Sequence, residues 1–195
     1  MRVKYFIIVI VLLVSLYVGY RFFVYQVFEG TSEKKHSKKD AIENYNKREK
    51  EIIELVEYFT SKVPDNKDVS FGLGGNDNQF DIGVSAANGI IDSNYPIIGG
   101  SNLELHSRKA DSALSLLSWS DETVNVLKEK LEKSKCINIM SGNPIRIEYK
   151  YSGMGLYSYF IFNKRLADST IKMYNRELGD TVIRDNVVVL FTSSL

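Results

Sequence analysis

The sequence has 195 residues, of which 44% are hydrophobic and 25% are charged, and these values are typical of a globular protein. Three of its 25 basic residues (Arg2, Lys4 and Arg21) lie among the first 28 positions, which contain no acid, so the rest of the chain holds 22 bases against 24 acids. A domain with this balance lacks the basic surface that releases counterions from nucleic acid, which excludes nucleic-acid binding.

The cysteine and histidine content excludes two further kinds of site. Cys136 is the only cysteine, so an internal disulfide cannot form. One cysteine and two distant histidines, His36 and His106, cannot build a zinc site of the His/Cys type. The sequence therefore predicts neither a metal nor a cofactor.

The N-terminal segment is apolar enough to enter a membrane. Residues 5–20 are uncharged, but sixteen helical residues span only about 24 Å, whereas the hydrocarbon core is about 30 Å thick. A span over residues 5–24 is long enough if Arg21 extends toward the headgroups. Tyrosine and phenylalanine also flank this run at both ends, as at membrane interfaces. We therefore predict a transmembrane anchor with its flanks at 1–28, contacting lipid through residues 5–24.

A cleaved signal peptide is the alternative for this segment. The basic start and apolar centre fit a signal peptide, but Tyr17-Val18-Gly19 places a bulky ring where a small residue belongs at a cleavage site. A buried soluble helix is disfavoured because the segment is apolar on all faces. The sequence therefore favours an uncleaved single-pass anchor.

Two opposing arguments bear on the orientation of this anchor in the membrane. More basic residues follow the apolar run than precede it, which by count favours a cytoplasmic domain. Long domains can nevertheless translocate regardless of charge, and short basic N-termini usually stay inside. We expect the domain on the extracytoplasmic side.

The next segment reads as a tether and a helix. Apolar residues recur at helical spacing from Ile42 to Val63, and Pro64 ends the helix. Positions 46–51 are entirely polar, so we predict a tether and a solvent-exposed stalk at 29–51. The globular domain is predicted at 52–195, with the second half of the helix packed on it.

Strands and two helices follow. Residues 69–73 and 79–84 predict a hairpin with 74–78 as its loop. Residues 85–102 read as irregular, and "NLELHS", which begins where they end, suggests a short strand. "KADSALSLLSW" predicts a short helix that buries Ala110, Leu114, Leu117 and Trp119. "SDETVNVLKEKLEKSKC" predicts a longer helix capped by Ser120.

The C-terminal part reads mainly as sheet. "CINIM", "IRIEYKY" and "LYSYFIF" predict three strands, "DSTIKMYNREL" a short helix, and "TVIRDNVVVLFTSS" a hairpin turning at Asp185-Asn186. Runs of hairpins with a few helices indicate the α+β class. We therefore predict an N-terminal transmembrane helix, a stalk helix, and a mostly antiparallel sheet with two or three helices packed on one face.

The stretch from Trp119 through Cys136 to "SGMGLYSYFIF" resembles small bacterial membrane-anchored or exported proteins of unassigned function. This resemblance implies a place at the bacterial envelope. It implies no activity and no catalytic residue.

Three stretches raise the question of chemistry. "GGNDNQFD" offers oxygen ligands for calcium, but it lacks the glutamate of an EF-hand and the stacked copies of a repeat site, so a hairpin loop is favoured. "LHSRKADS" brings His106, Ser107 and Asp111 together in sequence, although a capping loop explains them as well. Cys136, between a helix and a strand, is predicted to be a buried thiol.

The tyrosine-rich strands offer the best functional lead. Tyrosine and arginine are enriched at protein interfaces, so we predict an interaction surface on these two strands. Its residues are Tyr149, Tyr151, Tyr157, Tyr159, Arg146 and Lys150.

The functional hypothesis is a single-pass membrane-anchored envelope protein, with no enzyme activity expected, whose α+β domain binds another macromolecule, most plainly a protein. Its role would be that of an accessory, adaptor or protective factor. One alternative is a membrane-anchored hydrolase using carboxylates or His106, and another is an ion or ligand sensor acting through the 74–81 loop.

Overall fold

The computed structural model describes residues 15, 17–20, 36–86, 98–153, 155–176 and 180–193. The chain divides into two units, Met1–Lys35 and His36–Leu195. In the first unit the described residues are helical and exposed to solvent.

The second unit is an α+β domain with a mostly antiparallel, eight-stranded sheet, as predicted. The strands are β1 Lys67–Leu73, β2 Gln79–Ala86, β3 Ile98–Glu104, β4 Asn138–Met140, β5 Ile145–Ser152, β6 Gly155–Ile161, β7 Thr181–Arg184 and β8 Val187–Ser193. Their order across the sheet is β3-β2-β1-β4-β5-β6-β8-β7. The helices are α1 Lys38–Lys62, α2 Arg108–Leu117, α3 Asp121–Ser134 and α4 Asp168–Arg176.

The hairpin predicted around the glycine-rich stretch is confirmed. β1 and β2 pair antiparallel with Leu73 opposite Phe80 and Val69 opposite Val84. These four side chains point to one face because alternate residues of a strand share a face. The strands extend to residues 67 and 86, so the predicted bounds are slightly too short.

Helices α1, α2 and α3 bury their apolar stripes in one core on one face of the sheet, which we call the helix face. Helix α3 begins at the predicted cap, where the Ser120 side chain accepts a hydrogen bond from the Thr123 amide. Its stripe of Val124, Leu127 and Leu131 is fully buried. Trp119, just after α2, is also buried, and its indole N–H donates to the Lys62 carbonyl at the end of α1 (2.8 Å).

Helix α1 corrects the prediction of a solvent-exposed stalk. Ala41 and Tyr45, in its first half, are as deeply buried as Ile52 and Phe59 in its second half. The helix starts in a capping box at Ser37. The compact unit therefore begins near residue 36 rather than at 52.

The polar stretch at 46–51 packs on the domain through polar contacts. The guanidinium of Arg48, where the helix is kinked, donates to the Lys133 carbonyl at the end of α3 (2.7 Å). The carboxylate of Glu49 pairs with Arg184 of β7 through two hydrogen bonds of 2.9 Å. Arg48 and Glu49 thus bond to polar groups elsewhere in the fold, whereas Asn46, Lys47 and Lys50 are exposed as predicted.

Candidate interaction surface

The buried tyrosines do not belong to the predicted surface. Tyr149 is 7% exposed and Tyr159 is fully buried, so the prediction that they line an interaction surface is wrong. The Tyr159 hydroxyl donates to the Ala41 carbonyl (2.8 Å) and accepts from the Asn44 side chain (3.1 Å). Burial raises the pKa of this phenol. Both rings stabilise the packing of α1 on the sheet.

A bulge separates the remaining tyrosines. Strict alternation predicts Tyr149 and Tyr151 on the same face, but the register of β5 and β6 shifts between Glu148 and Lys150. Tyr151 therefore pairs with Leu156 and lies on the opposite face, where it is exposed. Tyr157 stays on the helix face, half-buried against Phe191, and the Lys150 ammonium lies over the Tyr149 ring.

Arg146 belongs to a polar cluster on the other side of the sheet, which we call the second face. The pairing register places Asn138, Glu148 and Ser158 directly beside one another on β4, β5 and β6. Arg146 lies two residues from Glu148 on β5 and points to the same face. We define the polar row as Asn138, Arg146, Glu148 and Ser158.

The carboxylate of Glu148 holds the polar row together. One of its oxygens lies 3.0 Å from the Arg146 guanidinium, and the other accepts from the Asn138 amide at 3.1 Å. The Glu148 side chain is only 12% exposed and that of Arg146 31%. An ion pair shielded in this way is fixed in geometry, and its two charges cancel.

Three atoms of the polar row lack partners. Within the described part of the chain, the buried side-chain atoms with no hydrogen bond are Asn138 Oδ1, Arg146 Nε and Ser158 Oγ. All three belong to this one row. A buried polar atom left unpaired costs about 1–3 kcal/mol, and such atoms are rare in folded proteins. Their clustering indicates a place where polar partners from outside the row would be accommodated.

Apolar side chains lie beside the polar row. Met140 and Phe160 are the cross-strand neighbours of Arg146, and the guanidinium lies 6.0 Å from the Phe160 ring centroid. Both apolar residues are half-buried. The second face thus combines unpaired hydrogen-bonding atoms with apolar area, as protein interfaces do.

Polar groups of the 74–81 loop bond to one another and to Asn102 of β3. The side-chain oxygen of Asn102 accepts from the Gly75 backbone N–H (2.6 Å), and the backbone N–H of Asn102 donates to the Asp81 carboxylate (2.6 Å). The Asn76 side chain accepts from the Asn78 amide in an Asx turn (3.0 Å). Across the described residues, no group of three or more acidic, histidine or cysteine side chains is arranged to hold a metal ion.

Gly74 closes the β1–β2 hairpin, and its replacement tests that closure. A Cβ at this position would lie 2.6 Å from the Gln79 carbonyl carbon and 2.8 Å from the Phe80 nitrogen. Since backbone cannot move aside cheaply, Gly74→Ala is expected to lower the free energy of unfolding by about 2 kcal/mol. Urea denaturation of Gly74→Ala beside Asp77→Ala, an exposed change in the same loop, measures this. Equal stabilities of the two variants would contradict the hairpin geometry.

His106 and its sequence neighbours do not form a nucleophile–base pair. The hydroxyl of Ser107 donates to the Glu104 carbonyl (2.7 Å). His106 Nε2 lies 3.5 Å from the Asp121 carboxylate, and both side chains are largely exposed to solvent. A pocket of about 230 Å³ near the end of α1 has Asp65 and Asp68 in its lining, and both are exposed at the surface.

Cys136 is a core thiol, as predicted. It is buried, and burial raises the pKa of the thiol to about 12. Because the thiolate is the reactive form, we expect no alkylation of the folded protein by iodoacetamide at pH 8 and full alkylation in denaturant. Mass spectrometry of both samples measures the extent of alkylation. Rapid labelling of the folded chain would contradict the burial of Cys136.

The predicted anchor at 5–24 lies outside the described residues, apart from 15 and 17–20. None of the helices in the described part of the chain has the length and apolar character needed to cross a bilayer. Comparison with family models, curated proteins and solved structures finds no match. The second face, with its polar row, is therefore the candidate site on geometry alone.

Proposed function

We propose that this chain is a single-pass membrane-anchored protein of the envelope whose α+β domain binds a partner protein through the second face of its sheet. The anchor part of the proposal is supported by the apolar run over residues 5–24. The binding part is supported by one observation above all, the three unpaired polar atoms of the polar row.

The chemistry of the polar row suits a polypeptide. Arg146 Nε is a donor, Asn138 Oδ1 is an acceptor, and a serine hydroxyl can act as either. A peptide group supplies both a carbonyl and an N–H, so one short segment can satisfy all three atoms. The opposite charges of Arg146 and Glu148 cancel, and the row therefore does not select a strongly charged ligand.

Access to the polar row depends on Arg146. Its side chain is more exposed than that of Glu148 and lies over the Phe160 ring. Because the unpaired atoms are buried in the free protein, the proposal requires this long side chain to rotate aside when the partner binds. Met140 and Phe160 then provide apolar area beside the hydrogen bonds.

Ser158→Ala is expected to change folding stability and partner binding in opposite directions. The change removes an unpaired buried hydroxyl, so the free protein is expected to gain about 1 kcal/mol of stability. The same change removes a hydrogen bond to the partner, so capture of the partner from detergent-solubilised membranes should fall several-fold. Thermal denaturation and quantitative affinity capture measure the two effects.

Ser112→Ala is the matched control for this experiment. Ser112 is an exposed serine of α2 whose hydroxyl already donates to the Arg108 carbonyl. Its replacement should leave partner capture unchanged. Capture that is the same for the wild type, Ser158→Ala and Ser112→Ala would contradict the proposed binding face.

The anchor is tested separately by extraction and topology. The full chain should stay with membranes after alkaline carbonate treatment, whereas a variant lacking residues 5–24 should be released. A reporter fused after Leu195 that is active only outside the cytoplasm should be active. Release of the full chain by carbonate would contradict the anchor.

A further inference from the structure

Exposed aromatic residues gather at one end of the domain. Among the tyrosines, phenylalanines and tryptophan in the described part of 36–195, only Tyr151 (57%) and Phe191 (44%) are exposed. The half-buried ring of Tyr157 lies 4.9 Å from the Phe191 ring. Tyr151, Tyr157 and Phe191 lie at the same end of the adjacent strands β5, β6 and β8, Tyr151 on the second face and the other two on the helix face. We call these three residues the aromatic rim.

Neighbouring residues fix the position of the Phe191 ring. This ring lies over Gly155, where a Cβ would overlap it. Tyr157 is the cross-strand partner of Phe191 and supports it from the side. The exposed ring is therefore held in place rather than left free in solvent.

The chain enters the domain at the same end. The Ser152 hydroxyl at the tip of the β5–β6 hairpin donates to the His36 carbonyl (2.6 Å), and the His36 ring packs on Tyr149 (5.8 Å). His36 is the first residue of the compact unit. Residues 25–35, which connect it to the predicted anchor, reach at most about 40 Å when fully extended. The chain therefore enters the described domain at the end that carries the rim.

Two described lysines lie at this end of the domain, and two more precede it in the sequence. Lys34 and Lys35 precede His36 in the sequence, Lys39 is exposed in the first turn of α1, and Lys150 lies on β5 beside Tyr149. Lysine side chains near an anionic leaflet are attracted to its headgroups. Tyrosine and phenylalanine with neighbouring lysine form the composition found at membrane–water interfaces.

We propose that the aromatic rim rests in the headgroup region of the membrane that holds the anchor, so that the domain is oriented with the β5–β6 hairpin toward the bilayer. This inference rests on the proposed anchor. In that orientation the strands stand upright on the membrane, and the second face stays accessible from the side to a partner protein.

Spin labels on the full chain test this contact. Cys136 is buried, so a single new cysteine can be labelled selectively. The label is placed by Phe191→Cys or Tyr151→Cys, and by Leu116→Cys as the control, because Leu116 is an exposed apolar residue of α2 on the β2–β3 side of the sheet. The protein is reconstituted in vesicles of three parts phosphatidylcholine to one part phosphatidylglycerol. Collision rates with oxygen, which partitions into lipid, are compared with those of a water-soluble nickel chelate.

At positions 151 and 191 we expect a several-fold higher ratio of oxygen to nickel accessibility than at position 116. Equal ratios at all three positions on vesicles that carry the protein would overturn the rim contact while leaving the anchor intact. Failure of the full chain to float with the vesicles would overturn the anchor and, with it, this inference. Circular dichroism verifies that each variant is folded.

A second pair of variants tests the same contact by tryptophan fluorescence. Phe191→Trp retains an aromatic side chain over Gly155, and Leu116→Trp is its control; Trp119 contributes the same background to both. Brominated lipids should quench fluorescence more strongly in Phe191→Trp than in Leu116→Trp. Equal quenching would overturn the proposal even if the cysteine variants were unstable.

Discussion

Tyr159→Ala is expected to lower the free energy of unfolding by about 4 kcal/mol, as for other large aromatic residues removed from a core. Its ring is fully buried between the Tyr45 and Tyr149 rings, at centroid distances of 5.5 and 6.0 Å. The substitution also removes the donor to the Ala41 carbonyl. Loss of the ring therefore leaves a cavity beneath α1 and an unpaired carbonyl within it.

Chemical denaturation measures this prediction, with Tyr151→Ala as the matched control. Tyr151 is exposed at the end of β5, so its replacement should change stability by no more than about 0.5 kcal/mol. A Tyr159→Ala variant as stable as Tyr151→Ala would contradict the assignment of Tyr159 to the core. It would return Tyr159 to the candidate surface.

Tyr45→Ala is expected to cost about 3–4 kcal/mol, because the first half of α1 is part of the domain. Tyr45 is buried, its ring packs on Tyr159, and the Arg184 guanidinium lies 5.8 Å from it. The same burial raises the pKa of the Tyr45 phenol to about 12. A stalk standing in solvent would lose almost nothing on this change.

The control for Tyr45 lies on the exposed side of the same helix. Lys47 pairs with Glu43, four residues earlier, and both side chains are mostly exposed. Lys47→Ala should therefore shift the unfolding midpoint little. Midpoints that coincide for the Tyr45 and Lys47 variants would mean that the first half of α1 is not docked on the sheet.

Local patterns in the sequence were enough to predict much of the fold. The β1–β2 hairpin and the turn at Asp185-Asn186 follow from glycine, asparagine and aspartate between apolar runs. Helix α3 follows from a serine cap and a clean apolar stripe. These elements depend on neighbours close in sequence, which a single sequence displays directly.

The parts that were missed depend on distant contacts. Arg48 and Glu49 read as solvent-exposed because their partners, the Lys133 carbonyl and Arg184, lie far along the chain. The bulge after Glu148 cannot be read from an alternating run, yet it decides which face Tyr151 occupies. A shift of one residue moves the following side chains of a strand to the other face. Of the predicted tyrosine surface, Tyr151 therefore lies on the second face, whereas Tyr149, Tyr157 and Tyr159 lie on the helix face.

The polar row was only partly visible from the sequence. Arg146, Glu148 and Lys150 alternate with apolar residues and indicated a polar face on β5. The positions of Asn138 and Ser158 beside Glu148 depend on the pairing register of three strands. The three unpaired atoms emerge only from side-chain coordinates.

Photo-crosslinking at the second face tests the proposed binding function most directly. In the full chain, p-benzoylphenylalanine replaces Phe160, beside Arg146, or Leu116 on α2 as the control. After irradiation of intact membranes, we expect one discrete adduct with a protein at position 160, none at position 116, and a several-fold weaker adduct when Ser158→Ala is added. No adduct at position 160, or the same adduct at both positions, would contradict the proposal that the second face binds a partner protein.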